Sequence, residues 1–190
     1  MAVSARTSDA QDWRYLIALG SNRRHRRHGS PDAVLRAALA ALEEAGIAIE
    51  LVSPTIPTLP LGPSLRRYAN AAAIVHTPLA PPALLALFKE LEQKFGRRTG
   101  GQRWSARVLD LDIVLWSGGP WSSPGLTIPH IAFRERGFVL RPALPIAATW
   151  RDPLTGLSLR ALYSRLTRPR PLPIARPTRA LSSVGRATDF

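Results

Sequence analysis

Apolar and polar positions alternate or recur along the chain in blocks that predict its elements. Trp13 to Leu19 reads as a strand, ended by Gly20-Ser21-Asn22. A basic loop, "RRHRRHGS", follows. Ser30 then stands where a helix N-cap is expected, with Pro31 at the first helical position and Asp32 in the first turn. Val34, Leu35, Ala38, Leu39 and Leu42 form one helical stripe, and Gly46 ends it. Residues 47–52, "IAIELV", predict a short strand. "SPTIPTLPLGPSLRR" holds four prolines and a glycine and reads as loop. Residues 68–75 resume a strand. Pro81 and Pro82 open a second helix, whose stripe is Leu84, Leu87, Phe88, Leu91 and Phe95, closed by Gly96. The loop "RRTGGQRWSA" leads into the strand "RVLDLDIVLW" at 107–116. A turn over Ser117–Gly125, then "LTIPH", an Arg-containing segment and "FVL" at 138–140 complete the pattern.

Strand–helix–strand–strand–helix–strand implies an α+β layer, with helices on one face of a mostly antiparallel sheet. Residues 13–167 are read as a single domain, 1–12 as a flexible extension, and 168–190, where Pro and Arg replace periodicity, as a disordered basic tail. No apolar run reaches the roughly 20 residues that span a bilayer, and Met1–Asp12 lacks the apolar middle of a signal peptide. The absence of Cys excludes disulfides and thiolate metal sites. A soluble, cytoplasmic monomer is the expectation.

The net charge of +13 points to an anionic partner. Seven arginines and a single acid lie between Arg160 and Phe190, so about half of the excess belongs to the tail. Charge alone therefore gives little support to a nucleic-acid protein.

Asp110 and Asp112 are the anomaly in an otherwise apolar strand. Alternation puts them on one face, with Leu109, Leu111 and Ile113 on the other. Their Cα atoms lie roughly 7 Å apart. Two such carboxylates repel unless a cation stands between them. They suit one or two Mg²⁺ ions, which leave coordination positions for water and phosphate. The plain alternative is a solvated face of an edge strand. Arg97, Arg98, Arg103 and Arg107, in or just after a glycine-containing loop, tip the balance toward a metal–polyphosphate ligand gripped by guanidinium forks. No P-loop motif, Ser-His-Asp order or zinc spacing is present.

"IALGSN" (17–22), "TLPLGP" (58–63), "YANAA" (68–72), "GRR…RW-x-x-R-x-LDLDI" (96–113), "LTIPH" (126–130) and "RGFVLRPA" (136–143) together resemble the 6-hydroxymethyl-7,8-dihydropterin pyrophosphokinases, from about Tyr15 to Ala148. R-W-x-x-R-x-L-D-L-D-I is the most specific part. The resemblance implies a ferredoxin-like α+β domain that moves pyrophosphate from ATP to a pterin hydroxymethyl group in folate synthesis. It implies two Mg²⁺ ions at Asp110 and Asp112, and Arg97 and Arg107 as catalytic cations on the triphosphate. Thr58, Pro60, Leu61, Tyr68, Asn70 and Phe138 would hold the pterin. Glu92, Arg103, Trp104, Ile113, Thr127, His130 and Arg136 would hold the nucleotide.

Ordinary explanations stand beside several of these. Phe138 and Tyr68 could be core residues, His130 a structural histidine after Pro129, and Lys89–Glu92 a surface pair. The chain departs from the family pattern at Gly100, Ser105-Ala106 and Ile131, which bears on loop closure and adenine contacts. The segment 23–28 has no role in the resemblance. The competing class is a basic RNA-binding α+β module, against which the two acids count. Nucleic-acid contact is expected only as non-specific binding by the basic tails, and no membrane contact is expected.

Overall fold

The computed structural model describes residues 12–59, 67–96 and 107–169. The elements run β1 (Trp13–Ser21), α1 (Pro31–Glu44), β2 (Ala48–Val52), β3 (Ile56–Thr58), β4 (Tyr68–Thr77), α2 (Pro81–Lys94), β5 (Asp110–Trp116), β6 (Trp121–Ser123), β7 (Leu126–Ile128), a 3-10 turn (Phe133–Glu135), α3 (Gly137–Ala147) and α4 (Leu159–Thr167). The main sheet has the order β2-β4-β1-β5, with β3 also on β4, and every pairing is antiparallel. Two β-α-β units that interleave in this way make a ferredoxin-like sheet. Among the described residues no helix is long and apolar enough to cross a membrane.

Helices cover both faces of the sheet, not one. Tyr15, Ile17 and Leu19 pack against Val34, Leu35 and Phe88 of α1 and α2. Leu16, Ala72 and Ile74 pack against Val139, Leu140 and Leu162 of α3 and α4. The sequence pattern hid α3 because Pro142 and Pro145 lie inside it, where each removes a backbone hydrogen bond and ordinarily breaks a helix. The first helix follows its caps. Ser30 Oγ accepts from the Ala33 N–H at 3.4 Å, and Gly46 adopts a φ of +83° just after α1, a conformation that favours glycine.

Two segments read as loop contain strands. Ile56–Thr58 forms β3 despite Pro57, because β3 is an edge strand and no outward N–H is required there. Ser53 carries β4's pairing across the break between β2 and β3. Its N–H donates to Ala72 O at 2.9 Å, and its Oγ accepts from Ala72 N–H at 2.9 Å. The turn at 117–125 contains β6, which pairs with β7 as a hairpin.

Candidate functional site

The site lies at one end of the central strand β1. Gly20 pairs with Asn70 on β4 and with Asp110 on β5; Ala18 pairs with Ala72 and Asp112. Paired residues share a face, and Ala18 and Ala72 belong to the cluster under α3. Asn70, Asp110 and Asp112 therefore rise from the α3 face, around a floor made only of Gly20 and two alanines. Asn70 and Asp110 are two strands apart, or about 9–10 Å between backbones.

The start of β5 is held from both sides. Asn22, which is buried, donates its backbone N–H to Arg107 O at 3.1 Å, and its Oδ1 accepts from Arg107 N–H at 2.9 Å. On the open edge of the strand, Glu92 of α2 reaches in and its Oε1 accepts from Leu111 N–H at 2.8 Å. Glu92 is only 3% exposed, which overturns a surface pair with Lys89. Its carboxylate fixes the residue that stands between the two aspartates.

The two acids differ in their surroundings. Arg107 Nη1 donates to Asp110 Oδ1 at 2.5 Å. Asp112 has Arg136 Nη1 no nearer than 4.0 Å, beyond hydrogen-bond reach. Burial raises the Asp112 pKa above the usual carboxylate value, and the negative Asp110 adds to this; His130, Arg136 and Arg107 oppose the rise without cancelling it. Yet the Asp112 side chain is 36% exposed and open to a solute. A carboxylate that is costly to ionise, next to another acid, fits a divalent cation. Among the described residues no three His, Asp or Glu side chains cluster to hold a metal. A cation here would take the two carboxylates and fill its shell with water and phosphate oxygens, the habit of Mg²⁺.

A cleft of about 280 Å³ opens beside β5, with walls that include Leu85, Asp112, Ile113, Leu126, Thr127 and His130. Three residues assigned to the nucleotide from sequence, Ile113, Thr127 and His130, thus meet one acid of the pair. His130 is set by its backbone N–H, which donates to Val114 O at 3.1 Å, and its Nδ1 accepts from Ala132 N–H at 3.3 Å. The Arg136 guanidinium lies over the Phe138 ring, 5.7 Å from its centroid. Phe138 occupies the first turn of α3, half-buried against the sheet. Across the floor, Asn70 is buried and its Nδ2 donates to Thr58 Oγ1 at 2.7 Å. Its Oδ1 faces Gly20. Tyr68, two residues earlier on the same face of β4, is half-buried. Pro60, Leu61, Arg97, Arg103 and Trp104 lie outside the described residues, as do most of the two terminal segments.

Gly20 and Asn22 belong to the site and carried no weight in the residue-by-residue reading. A glycine inside a strand was the available signal, since it marks a place where something approaches the backbone closely.

A family model described as 7,8-dihydro-6-hydroxymethylpterin-pyrophosphokinase (HPPK) matches residues 16–148. This chain belongs to the HPPK family. The 2-amino-4-hydroxy-6-hydroxymethyldihydropteridine pyrophosphokinase of Synechocystis sp. is 35% identical over 133 residues, which cover 70% of this chain and 68% of that one. The protein of the same name from Pseudomonas aeruginosa is 37% identical over 142 residues, 74% of this chain and 84% of that one. The HPPK-DHPS crystal structure from Plasmodium falciparum superposes with a TM-score of 0.63 at 13% identity, over 84% of this chain. The HPPK chain spans 44% of that longer structure, and the likeness concerns the fold.

Proposed function

We propose that this HPPK-family chain transfers the pyrophosphoryl group of ATP to the hydroxymethyl oxygen of 6-hydroxymethyl-7,8-dihydropterin, yielding the pterin diphosphate and AMP, as a cytoplasmic monomer of folate synthesis. Residues 13–167 form the catalytic domain. The observation that carries this reading is the single row Asn70–Gly20–Asp110: a heterocycle-reading amide and a phosphate-side acid on one sheet face, with nothing larger than a glycine between them.

Asp110 and Asp112 would hold two Mg²⁺ ions, which when bound neutralise the triphosphate and draw charge from the β-phosphorus. The protein's part is placement. Glu92 and Asn22 fix the backbone that carries the acids, so the nucleotide meets a preset geometry. Glu92 thereby serves the nucleotide through the strand it holds. Ile113, Thr127 and His130 line the cleft for the nucleoside, with Arg136 near Asp112; the family resemblance assigns Arg103 and Trp104, outside the described residues, to the nucleotide as well. Asn70 offers amide groups to the pterin edge, steered by Thr58, while Tyr68 and Phe138 present ring faces. The family resemblance assigns Pro60 and Leu61, outside the described residues, to the pterin. The hydroxymethyl oxygen attacks the β-phosphorus in line, and AMP departs with the bridging oxygen. Arg97 and Arg107 stabilise the charge that shifts across the phosphates. The attacking hydroxyl loses its proton to solvent, and no dedicated base is assigned.

The test is an assay of AMP release from Mg·ATP with and without the pterin. Release that needs the pterin, and that Asp112→Ala abolishes in a folded protein, supports the reading. ATP cleavage to ADP, or turnover within a few-fold of the parent in Asp112→Ala, would reject it. The RNA-binding reading finds no support, since the sheet faces are covered by helices and the open end carries acids.

A further inference from the structure

Residues Arg23-Arg24-His25-Arg26-Arg27-His28 have no part in the reaction above. They continue directly from β1, at the end of the sheet that bears Asn70 and Asp110. The segment is tightly built. His25 and Gly29 exchange two backbone hydrogen bonds of 2.9 Å. His25 Nδ1 accepts from the N–H groups of Arg27 and His28, each at 3.2 Å. The His28 ring stacks on His25 at 4.7 Å and on Phe95, buried at the end of α2, at 4.9 Å.

Two imidazoles turned inward at this spacing leave the arginines between and before them turned outward. Arg23, Arg24, Arg26 and Arg27 are all exposed, and among the described residues none has an ion-pair partner. Four uncompensated guanidinium groups held within five positions repel one another. Immediately before them, Asn22 Nδ2 is buried and has no acceptor among the described residues, while its Oδ1 accepts from the Arg107 N–H. Arg107 in turn holds Asp110. An ordered concentration of donors, two residues from the site and lacking acceptors, matches a ligand that brings many anionic oxygens.

We propose that residues 23–28 form an oligophosphate-binding rim at the mouth of the Asp110–Asp112 site, which takes the phosphate chain of the incoming nucleotide. The identity of the nucleotide rests on the pyrophosphokinase reading; the binding of phosphate does not. Guanidinium forks grip phosphate oxygens in pairs. A cluster of one sign beside a cleft raises the encounter rate of an opposite charge in a salt-sensitive way. The loop also carries its own reporter. Burial lowers the His28 pKa, and the charges of His25 and Arg27 lower it further; an anion on the arginines reverses the last effect.

The test compares the full chain with the variant Arg23→Gln/Arg24→Gln/Arg26→Gln/Arg27→Gln, its fold verified by circular dichroism. Inorganic tripolyphosphate is titrated at low ionic strength while the His25 and His28 imidazole signals are followed by NMR. Saturable shifts are expected in the parent, with His28 titrating at higher pH, and none in the variant. The association rate of a non-hydrolysable Mg·ATP analogue should fall about tenfold in the variant and lose most of its salt dependence. Should the quadruple variant unfold, Arg26→Gln/Arg27→Gln replaces it, with a smaller drop expected. Imidazole signals that stay fixed, an association rate equal to the parent's, or a marked preference for a single-stranded oligonucleotide over tripolyphosphate would each overturn the proposal. Absence of pterin-dependent AMP release would defeat the enzymatic reading alone, because the tripolyphosphate titration needs no turnover.

Discussion

Asn70 and Asp110 stand on one row of the sheet with only Gly20 between them. A Cβ on Gly20 would meet Asn70 Oδ1 at 3.4 Å and Asp110 Cβ at 3.9 Å, both ordinary contacts. Gly20 is also absent from the glycines with positive φ. Gly20→Ala should therefore fold, with a Tm within a few degrees of the parent, since alanine in a strand even recovers about 0.5–1 kcal/mol of backbone entropy. The methyl group would nonetheless stand on the floor where pterin and phosphate must meet. A fall of at least about tenfold in kcat/KM is expected, read mainly in the pterin KM. Unchanged kcat/KM would show that no substrate passes over Gly20.

Asp112 should oppose stability while it serves function. Its pKa is raised in the folded protein, by burial and then by Asp110. The folded state thus binds a proton more readily than the unfolded chain, whose aspartates titrate near about 3.9. The cost of Asp112 is absent when both states are protonated and grows as pH rises through the folded value. Asp112→Asn should therefore have a higher Tm than the parent at pH 7, with the difference closing toward about pH 3. Partial exposure keeps the gain modest. The same variant should lose at least about a hundredfold in turnover, as expected for a residue that bears the charge of a metal–phosphate ligand. A Tm below the parent's at pH 7 would contradict the geometry of the pair.

Asn22 should act through Arg107. Asn22→Ala leaves the part-buried Arg107 N–H without its 2.9 Å acceptor, at a cost of about 1–3 kcal/mol. It also loosens the residue that pairs with Asp110. Urea unfolding should show the loss, and kcat should fall by more than the nucleotide KM rises. Asn22→Asp, which keeps an acceptor oxygen, should recover most of the stability. Failure of that rescue would place the role of Asn22 elsewhere.

What could be read from the chain followed physical periodicity. The stripes of α1 and α2 and the Ser30 and Gly46 boundaries of α1 were legible because one face of each helix is buried and the other is not, while β1, β4 and β5 were legible as short apolar runs, because both faces of the sheet are buried. Asp110 and Asp112 stood out for the same reason, as charges where a strand face should be apolar. α3 was not legible, because Pro142 and Pro145 imitate a break; α4 holds no proline and begins at the ordinary N-cap signal Ser158, which the pattern left unread. β3 was concealed by Pro57, and its pairing depends on Ser53, a tertiary contact no local pattern announces. The gathering of Asn70, Gly20 and Asp110 on one row is set by strand order and register, which a linear pattern does not encode. Glu92 sits beside an apolar stripe, and only the fold decides between an exposed i,i+3 partner and a clamp on Leu111.

Asp152 should make the protein sensitive to acid. It is fully buried. Its oxygens accept from Arg134 Nε at 2.7 Å and Nη2 at 2.6 Å, from Leu154 N–H at 3.1 Å and from Thr155 Oγ1 at 2.5 Å. Burial pushes the Asp152 pKa up, but these hydrogen bonds and the Arg134 charge together outweigh it, and the net shift is downward. A depressed carboxylate pKa contributes stability that is present above the unfolded value of about 3.9 and is lost as pH falls through the folded value. Asp152→Ala removes that contribution and strands the Arg134 guanidinium, whose side chain is only 26% exposed. The expected loss is about 3 kcal/mol at pH 7, at the lower end for a broken buried pair. Urea curves of parent and variant should draw together below about pH 3, where the parent's carboxylate also protonates. Arg134 belongs to the turn that leads into Arg136 and Phe138, so the variant should also bind both substrates more weakly at temperatures where it remains folded. A stability gap that is equally wide in acid would mean that packing, and not the ion pair, is what Asp152 supplies.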